Sequence, residues 1–377
     1  MTRADYMQHL REALVGYDSQ FVQEILDNYE EHFEAGIRSG RTEEEICEEL
    51  GNIESFLKDI EDMMGDKDIH THEIEKVTAI QQENKRDDNG EIGCIELSML
   101  SIDVSVLPSR DGQLHSYFES GKDKGEYLEE DFSGGCYFAK ERPRKKNGKD
   151  KSFLGIAFMV GFGNNTDDLG RLIVEVPAQV HTVKVKSLQG DITAENLKAE
   201  KTTLESMSGD IRLTQWTSPV MQVKTFSGDV KAHEVYAQES TMQTTSGDVE
   251  IRCGKVKELS INSTSGDIKI LDMQMERLKA KSVSGDIEVN DSEAEELSVS
   301  STSGDVKGRL YGKKLSVQTV SGDIRMTLDR RGKRLMARSQ TMSGEVRIVD
   351  NYQPGGQADA DAITGYFSTI SGDITVR

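Results

Sequence analysis

Leu259-Ser260-Ile261-Asn262-Ser263-Thr264-Ser265-Gly266-Asp267-Ile268-Lys269-Ile270 is the stretch on which the fold turns. Leu259, Ile261, Ser263 and Ser265 share one parity, and Ile268 and Ile270 share the other. Each half alternates with period two, as a strand with one buried face does. The parity changes between Ser265 and Ile268, so one residue is absorbed in a corner, and Gly266-Asp267 sits there. Glycine accepts φ > 0, and aspartate can hydrogen-bond its own turn.

The same corner recurs down the chain. Its copies are Gly190-Asp191, Gly209-Asp210, Gly228-Asp229, Gly247-Asp248, Gly266-Asp267, Gly285-Asp286, Gly304-Asp305, Gly322-Asp323, Gly344-Glu345 and Gly372-Asp373. The acids are 19 residues apart six times, then 18, 22 and 28. The residue after the acid is always Ile or Val, and the residue four before it is always Ser or Thr, from Ser187 to Thr369. So regular a period marks stacked supersecondary units, none able to bury its apolar face alone.

A coil of about 19 residues suits a parallel β-helix with coils ~4.8 Å apart, and ten coils would make a rod of roughly 45–50 Å. The fold class is therefore mainly β, a parallel β-helix or β-solenoid, with an N-terminal all-α module. Each coil reads as strand, Gly-Asp corner, strand, and a second turn that is polar and irregular. An antiparallel sandwich of hairpins fits less well, because it would repeat two turn chemistries and only one turn here is constant.

Composition narrows the function classes. The 377 residues carry a net charge of −21, and aromatics make up 6%. Residues 1–90 hold 24 acids against 9 bases, so −15 of the charge lies there. That balance argues against nucleic-acid binding, which needs a basic face. Cys47, Cys94, Cys136 and Cys253 show no paired spacing and read as free thiols of a reducing compartment. The start, Met1-Thr2-Arg3-Ala4-Asp5, has no apolar signal core. The expected location is the cytoplasm, although some proteins reach the surface without such a signal.

Residues 1–64 keep helical spacing at Met7, Leu10 and Leu14, then at Phe21, Ile25 and Tyr29. Thr42-Glu43-Glu44-Glu45 is a capping box that starts a further helix bearing Ile46 and Leu50. Tyr6, Leu10, Leu14, Glu24-Ile25, Tyr29-Glu30-Glu31-His32-Phe33 and Leu50-Gly51 together resemble the helix-turn-helix-associated α-helical signalling domain of Gram-positive bacteria. The resemblance implies a docking module that couples envelope components to transcription regulators, and so a protein partner. The family's proline after Leu-Gly is replaced here by Asn52-Ile53. Read from the residues alone, the segment is an acidic capping bundle.

Residues 65–90 are a polar linker, and His70 and His72 within it lack further ligands for a metal. The solenoid domain spans 91–377, with irregular first coils and an insertion over 91–170 and regular repeats over 171–377. Ile95-x-Leu97-x-Met99 and Ile102-x-Val104-x-Val106 look like degenerate coils, with Asp103 near a turn. The insertion carries the basic run Arg142, Arg144, Lys145 and Lys146, then an apolar run over 153–162. A basic loop before an apolar segment can touch an anionic membrane; an exposed hairpin turn before a buried strand is the more common arrangement.

The Ser-Gly-Asp-Ile/Val repeat, with Val174-x-Val176-Pro177 before it, resembles the bacterial putative-adhesin β-strand-repeat family, a domain of unknown function. The resemblance implies a non-enzymatic binding or scaffold protein connected with the cell envelope and its stress signalling, with an envelope component or a second copy as partner of the rod. It implies no catalytic residue and no cofactor. The sequence holds no nucleophile elbow, P-loop or zinc-protease motif. A bactofilin-like self-assembling rod and a carbohydrate-active β-helix enzyme are the alternatives. The stacked corner aspartates would repel one another or recruit Ca²⁺ unless each bonds backbone N–H groups.

Overall fold

The computed structural model describes residues 2–13, 26, 33, 37, 42–50, 92–120, 124–142, 170–349 and 362–377. The protein is mainly β. The described residues from 92 onward build a solenoid of in-register parallel coils: Ile211 pairs with Val230, Val230 with Val249, Val249 with Ile268 and Ile268 with Ile287. The core is one column of small apolar side chains, with Ile211, Val230, Val249, Ile268 and Ile287 all fully buried. Trp216 fills a wider section, and its indole N–H donates to Thr202 Oγ1 at 2.9 Å, as a buried tryptophan requires.

Each coil has three sides where the sequence predicts two strands and two turns. The pairing between Val230–Gln243 and Val249–Asn262 skips Glu234 and Gln238, and the next coil likewise skips Cys253 and Lys257. The first break is a left-handed residue repeated every 19 positions: Asn196, Gln215, Glu234, Cys253, Asp272 and Asp291, with φ between 50° and 54°. So the turn that reads as irregular is constant in conformation and variable in residue type. The 18-residue step arises here, because the coil after Asp291 omits this residue and the register shifts between Asn290 and Ser292.

At eight of the ten corners the glycine has a different purpose from the one its residue type suggests. Gly190 through Gly322 do not have positive φ. A Cβ on Gly266 would lie 1.9 Å from the carbonyl oxygen of Gly247, and one on Gly247 would lie 2.0 Å from that of Gly228. Close stacking of backbones excludes a side chain there.

Chain order and spatial order differ at both ends of the rod. Cys94–Met99 lies between Cys136–Glu141 and Gln179–Ser187. Asp103–Pro108 likewise lies between Arg171–Val176 and Ile192–Glu195. At the far end Ile363–Ser368 sits between Val306–Gln318 and Leu335–Gln340, and Ile374–Val376 sits between Ile324–Leu328 and Val346–Ile348. The outer strands at the first end are covered by antiparallel ones. His115–Glu119 covers Arg171–Val176, and Leu128–Ser133 covers Cys136–Glu141.

In the N-terminal segment the described residues form the helices Arg3–Ala13 and Glu43–Leu50, with helical residues at Leu26, Phe33 and Ile37. Tyr6, Leu10, Phe33 and Ile46 are buried, and Tyr6 packs edge-on against Phe33 at 5.8 Å. The rest of the module predicted over 1–64, the linker over 65–90 with His70 and His72, and the 153–162 run lie outside the described residues. No helix among the described residues is long and apolar enough to cross a membrane.

Candidate binding face and the corner ladder

The corner acids form one hydrogen-bonded ladder. The Asp210 amide donates to Asp191 Oδ1 at 2.9 Å, Asp229 to Asp210 at 2.9 Å, and Asp267 to Asp248 at 2.8 Å. The ladder begins at Asp103, whose Oδ1 accepts from Asp191 at 2.9 Å, and ends at Glu345. The aspartate therefore bonds the next coil, not its own turn as the sequence suggests. Repulsion along the column is relieved by cations two residues after the acids. Arg212 bridges Asp191 and Asp210 at 2.8 and 2.7 Å, and Lys307 bridges Asp286 and Asp305 at 3.4 and 3.3 Å.

The Ser/Thr column closes the same corner from inside. Ser282 Oγ accepts the Gly285 amide at 2.9 Å and donates to the Gly266 carbonyl of the neighbouring coil at 3.3 Å. Ser301 does the same at 3.0 and 3.1 Å. Every predicted corner residue is thus brought into one column, and the column's polar groups serve the fold. Among the described residues no group of three or more His, Cys, Asp or Glu is placed to hold a metal ion.

Two further clusters lie at the covered end. Buried Glu141 accepts the amides of Leu100, Ser101 and Ile102 at 2.8, 2.7 and 3.0 Å, and the Ser101 hydroxyl at 2.8 Å. It occupies the place where a further corner would supply acceptors. Nearby, Lys124 ion-pairs with Glu130 at 2.8 Å and donates to Ser116 Oγ at 2.8 Å, while Tyr137 donates to Glu130 and its hydroxyl oxygen lies within hydrogen-bond distance of Ser116 Oγ at 2.7 Å. Burial and the Glu130 carboxylate push the Tyr137 hydroxyl up, and Glu130 itself is held low by Lys124 and Tyr137 despite its own burial. The lysine is committed to the carboxylate, so the network pins the covering strands. Cys94 and Cys136 face each other across the strand pair, and burial first, then the Cys136 contact, pushes the Cys94 thiol up to about 12. Of the predicted basic contacts, Arg142 is exposed just beyond Cys136–Glu141, and its amide donates to the Tyr127 carbonyl at 2.7 Å. Arg144, Lys145 and Lys146 lie outside the described residues.

The feature that sequence reasoning missed is a polar face on which two ladder columns run for eight rungs without a carboxylate. Twelve residues past the corner acid, the register aligns Gln222, Thr241, Ser260, Lys279, Ser298, Ser316, Tyr366 and Arg338 in one outward column. The parallel column two residues on is Lys224, Gln243, Asn262, Lys281, Ser300, Gln318, Ser368 and Gln340. Over these eight rungs neither column holds an Asp or Glu, although the chain has 67 of them; the next rung toward the first end adds Thr203 and Glu205, the latter beside Lys224. Buried Val223, Met242, Ile261, Ala280, Val299, Val317 and Phe367 lie between, holding both columns outward.

Grooves run along this face. One of about 1100 Å³ follows the first column and is bounded on its far side by Glu239, Glu258, Arg277, Glu296 and Lys314. Two of the three glutamates are paired, Glu258 with Arg277 and Glu296 with Lys314, and Glu239 is left as the third acid at the edge of the groove. A second groove of about 450 Å³ follows the other column. Lys279, Lys281 and Arg338 have no ion-pair partner among the described residues, and Thr241, Gln243, Ser260, Asn262, Ser298 and Ser300 have no side-chain hydrogen-bond partner there.

Fold and face together define a repeat β-solenoid with one long polar side. The family model for Toastrack DUF4097 matches residues 145–310 and 254–377, and the chain belongs to that family, a domain of unknown function. The repeat-domain resemblance drawn from Ser-Gly-Asp is met at this level. No curated protein matches the sequence. A "putative lipid binding protein" from Parabacteroides distasonis is similar at 12% identity and a TM-score of 0.36, covering 75% of this chain and 92% of that one. A "putative cell adhesion protein" from Clostridium sporogenes is similar at 9% identity and a TM-score of 0.16, covering 76% and 93%.

Proposed function

We propose that the protein is a non-enzymatic binding scaffold whose polar ladder face is the contact surface. The carrying observation is the run of two ladder columns of hydroxyls, amides and cations, in which Lys279, Lys281 and Arg338 have no ion-pair partner among the described residues. Such a face offers many donors at one repeat, and of the carboxylates at its edge Glu258 and Glu296 are ion-paired with Arg277 and Lys314, which supports binding over glycoside hydrolysis by a pair of free carboxyls. In the groove on the adjacent side, Glu276 and Glu295 are paired to Lys257 and Lys313 at 3.8 and 2.6 Å. A bactofilin-like filament has less support, because antiparallel strands cover one end of the rod. The helical segment is read as the second, protein-docking contact, in line with its resemblance to signalling domains, and the partner of the rod as an envelope component.

Lysine footprinting tests the face. With cell-envelope material present, acetylation should fall at Lys279 and Lys281 and stay unchanged at Lys269 on another side of the coil. Equal labelling of all three would sink the reading.

A further inference from the structure

We infer that Cys94 and Cys136 are a site of reversible disulfide formation that locks the covered end of the rod. Neither cysteine belongs to the polar columns.

The two residues are far apart in sequence and adjacent in space. Cys94–Met99 and Cys136–Glu141 run parallel and in register, with Cys94 opposite Cys136. Parallel strands lie ~4.8 Å apart, inside the roughly 4.4–6.8 Å between Cα atoms that a disulfide spans. Both side chains fall on the outer, half-buried face, alternating with buried Ile95 and Tyr137, and the two thiols interact directly. The backbone fixes their approach. Gly134 and Gly135, at φ 59° and 72°, turn the chain into the second strand. The Gly135 carbonyl then accepts the amides of both Gly93 and Cys94, at 2.9 and 3.2 Å. The other two cysteines are placed differently. Cys253 stands in the left-handed column between Glu234 and Asp272, and Cys47 lies in the helix Glu43–Leu50.

The oxidant is a low-molecular-weight disulfide such as that of glutathione. The Cys136 thiolate attacks one of its sulfurs, a mixed disulfide forms at Cys136, and one glutathione thiolate leaves. Cys94 then gives its proton to solvent and attacks the Cys136 sulfur, and the second glutathione leaves. Two electrons pass from the cysteine pair to the oxidant, which becomes two thiols. Burial and the Cys136 contact keep the Cys94 thiol protonated, so Cys136 reacts first. The bond completes a clamp on the strand Cys136–Glu141. Its last residue is already tied down, because Glu141 accepts the amides of Leu100, Ser101 and Ile102. Its first residue follows directly on the hairpin turn from Leu128–Ser133. A Cys94–Cys136 bond closes residues 94–136 into a covalent loop that holds both covering strands, His115–Glu119 and Leu128–Ser133, and so limits the states that end can open to. In reducing surroundings both residues stay thiols, and in oxidising surroundings the end is locked.

Thiol counting on the full chain tests this. Purified under reductant and then equilibrated with glutathione disulfide, the protein should lose two of its four thiols and retain no glutathione, and peptide mapping should join Cys94 to Cys136. Dithiothreitol should restore both thiols. Cys94→Ser should instead retain one glutathione on Cys136, while Cys47→Ser with Cys253→Ser should form the bridge as the unsubstituted chain does. In the oxidised protein hydrogen exchange across residues 137–139 should slow at least ~tenfold, with Val249 and Ile251 unchanged. No bridge under excess glutathione disulfide, a bridge that uses Cys47 or Cys253, glutathione retained on both Cys94 and Cys136, or a bridge that leaves exchange across residues 137–139 unchanged would each overturn the inference.

Discussion

Asp323 Oδ1 accepts the amide of Asp373 at 2.7 Å, 50 residues further along the chain, and Asp373 Oδ1 then accepts that of Glu345 at 2.8 Å. The last repeat in the sequence is therefore the penultimate rung in space, wedged between two coils. Ile374 donates to the Glu345 carbonyl at 2.9 Å, the same bond that Ile268 makes to Asp286. Hydrogen exchange at Ile374 should accordingly be slowed about as much as at Ile268, while Val346, on the outermost rung, exchanges fast. Rapid exchange at Ile374 would show that the wedge does not hold in solution.

Gly266→Ala should be severely destabilising. Its new methyl would sit 1.9 Å from Gly247 O and 2.4 Å from Gly247 C, backbone that can move only by opening the ladder. A loss above ~2 kcal/mol is expected by overpacking. Gly332→Ala meets nothing within 4 Å and carries only the cost of its φ of 78°, about 1 kcal/mol. Urea midpoints of the two variants give the comparison, and equal losses would contradict it.

The regular coils were readable because one residue type recurs wherever one contact recurs. The parity switch at Gly266-Asp267 and the Ile268 column follow from alternation alone. The order of the end coils was hidden, since Glu345 and Asp373 look alike locally and only long-range pairing separates them. The third side was hidden for another reason. Asn196, Gln215, Glu234, Cys253, Asp272 and Asp291 share a backbone conformation but not a chemistry. The two polar columns were present in the alignment, twelve and fourteen residues past the corners from Asp210 to Asp286, but polar residues on a strand read as plain solvent exposure until the register lines them up.

The left-handed column carries its own test. Cys253 has φ 52°, a conformation that asparagine tolerates and a β-branched residue resists. Cys253→Asn should leave stability within about 0.5 kcal/mol, and Cys253→Val should lose about 1–2 kcal/mol. Thermal unfolding of the pair reports the difference. Valine tolerated as well as asparagine would mean that the bulge relaxes.

Glu141→Ala should unlock the covered end. Three amides and one hydroxyl lose their acceptor in a buried site, at about 1–3 kcal/mol for each group left unsatisfied unless water enters. Glu141→Gln keeps an acceptor oxygen and should cost less. Exchange at Leu100, Ser101 and Ile102 should quicken in the alanine variant, and unchanged protection there would dismiss the proposed role.

Asp305 gives the ladder a pH dependence. Burial raises its carboxyl, but the Asp323 amide, then Lys307 and Arg325, outweigh that and hold it below the usual aspartate value. A carboxylate depressed in the folded state adds stability that is complete above its unfolded value, about 3.9, and is lost as pH falls through the folded value. Asp305→Asn keeps an oxygen for the Asp323 amide at 2.9 Å but drops the ion pairs to Lys307 and Arg325 at 3.3 and 3.2 Å. The variant should be less stable at pH 7 by about 0.5–1 kcal/mol, and the gap should close as the pH is lowered below ~4. A gap that persists unchanged at pH 3 would mean that the charge on Asp305 contributes nothing to the stacking of its coil.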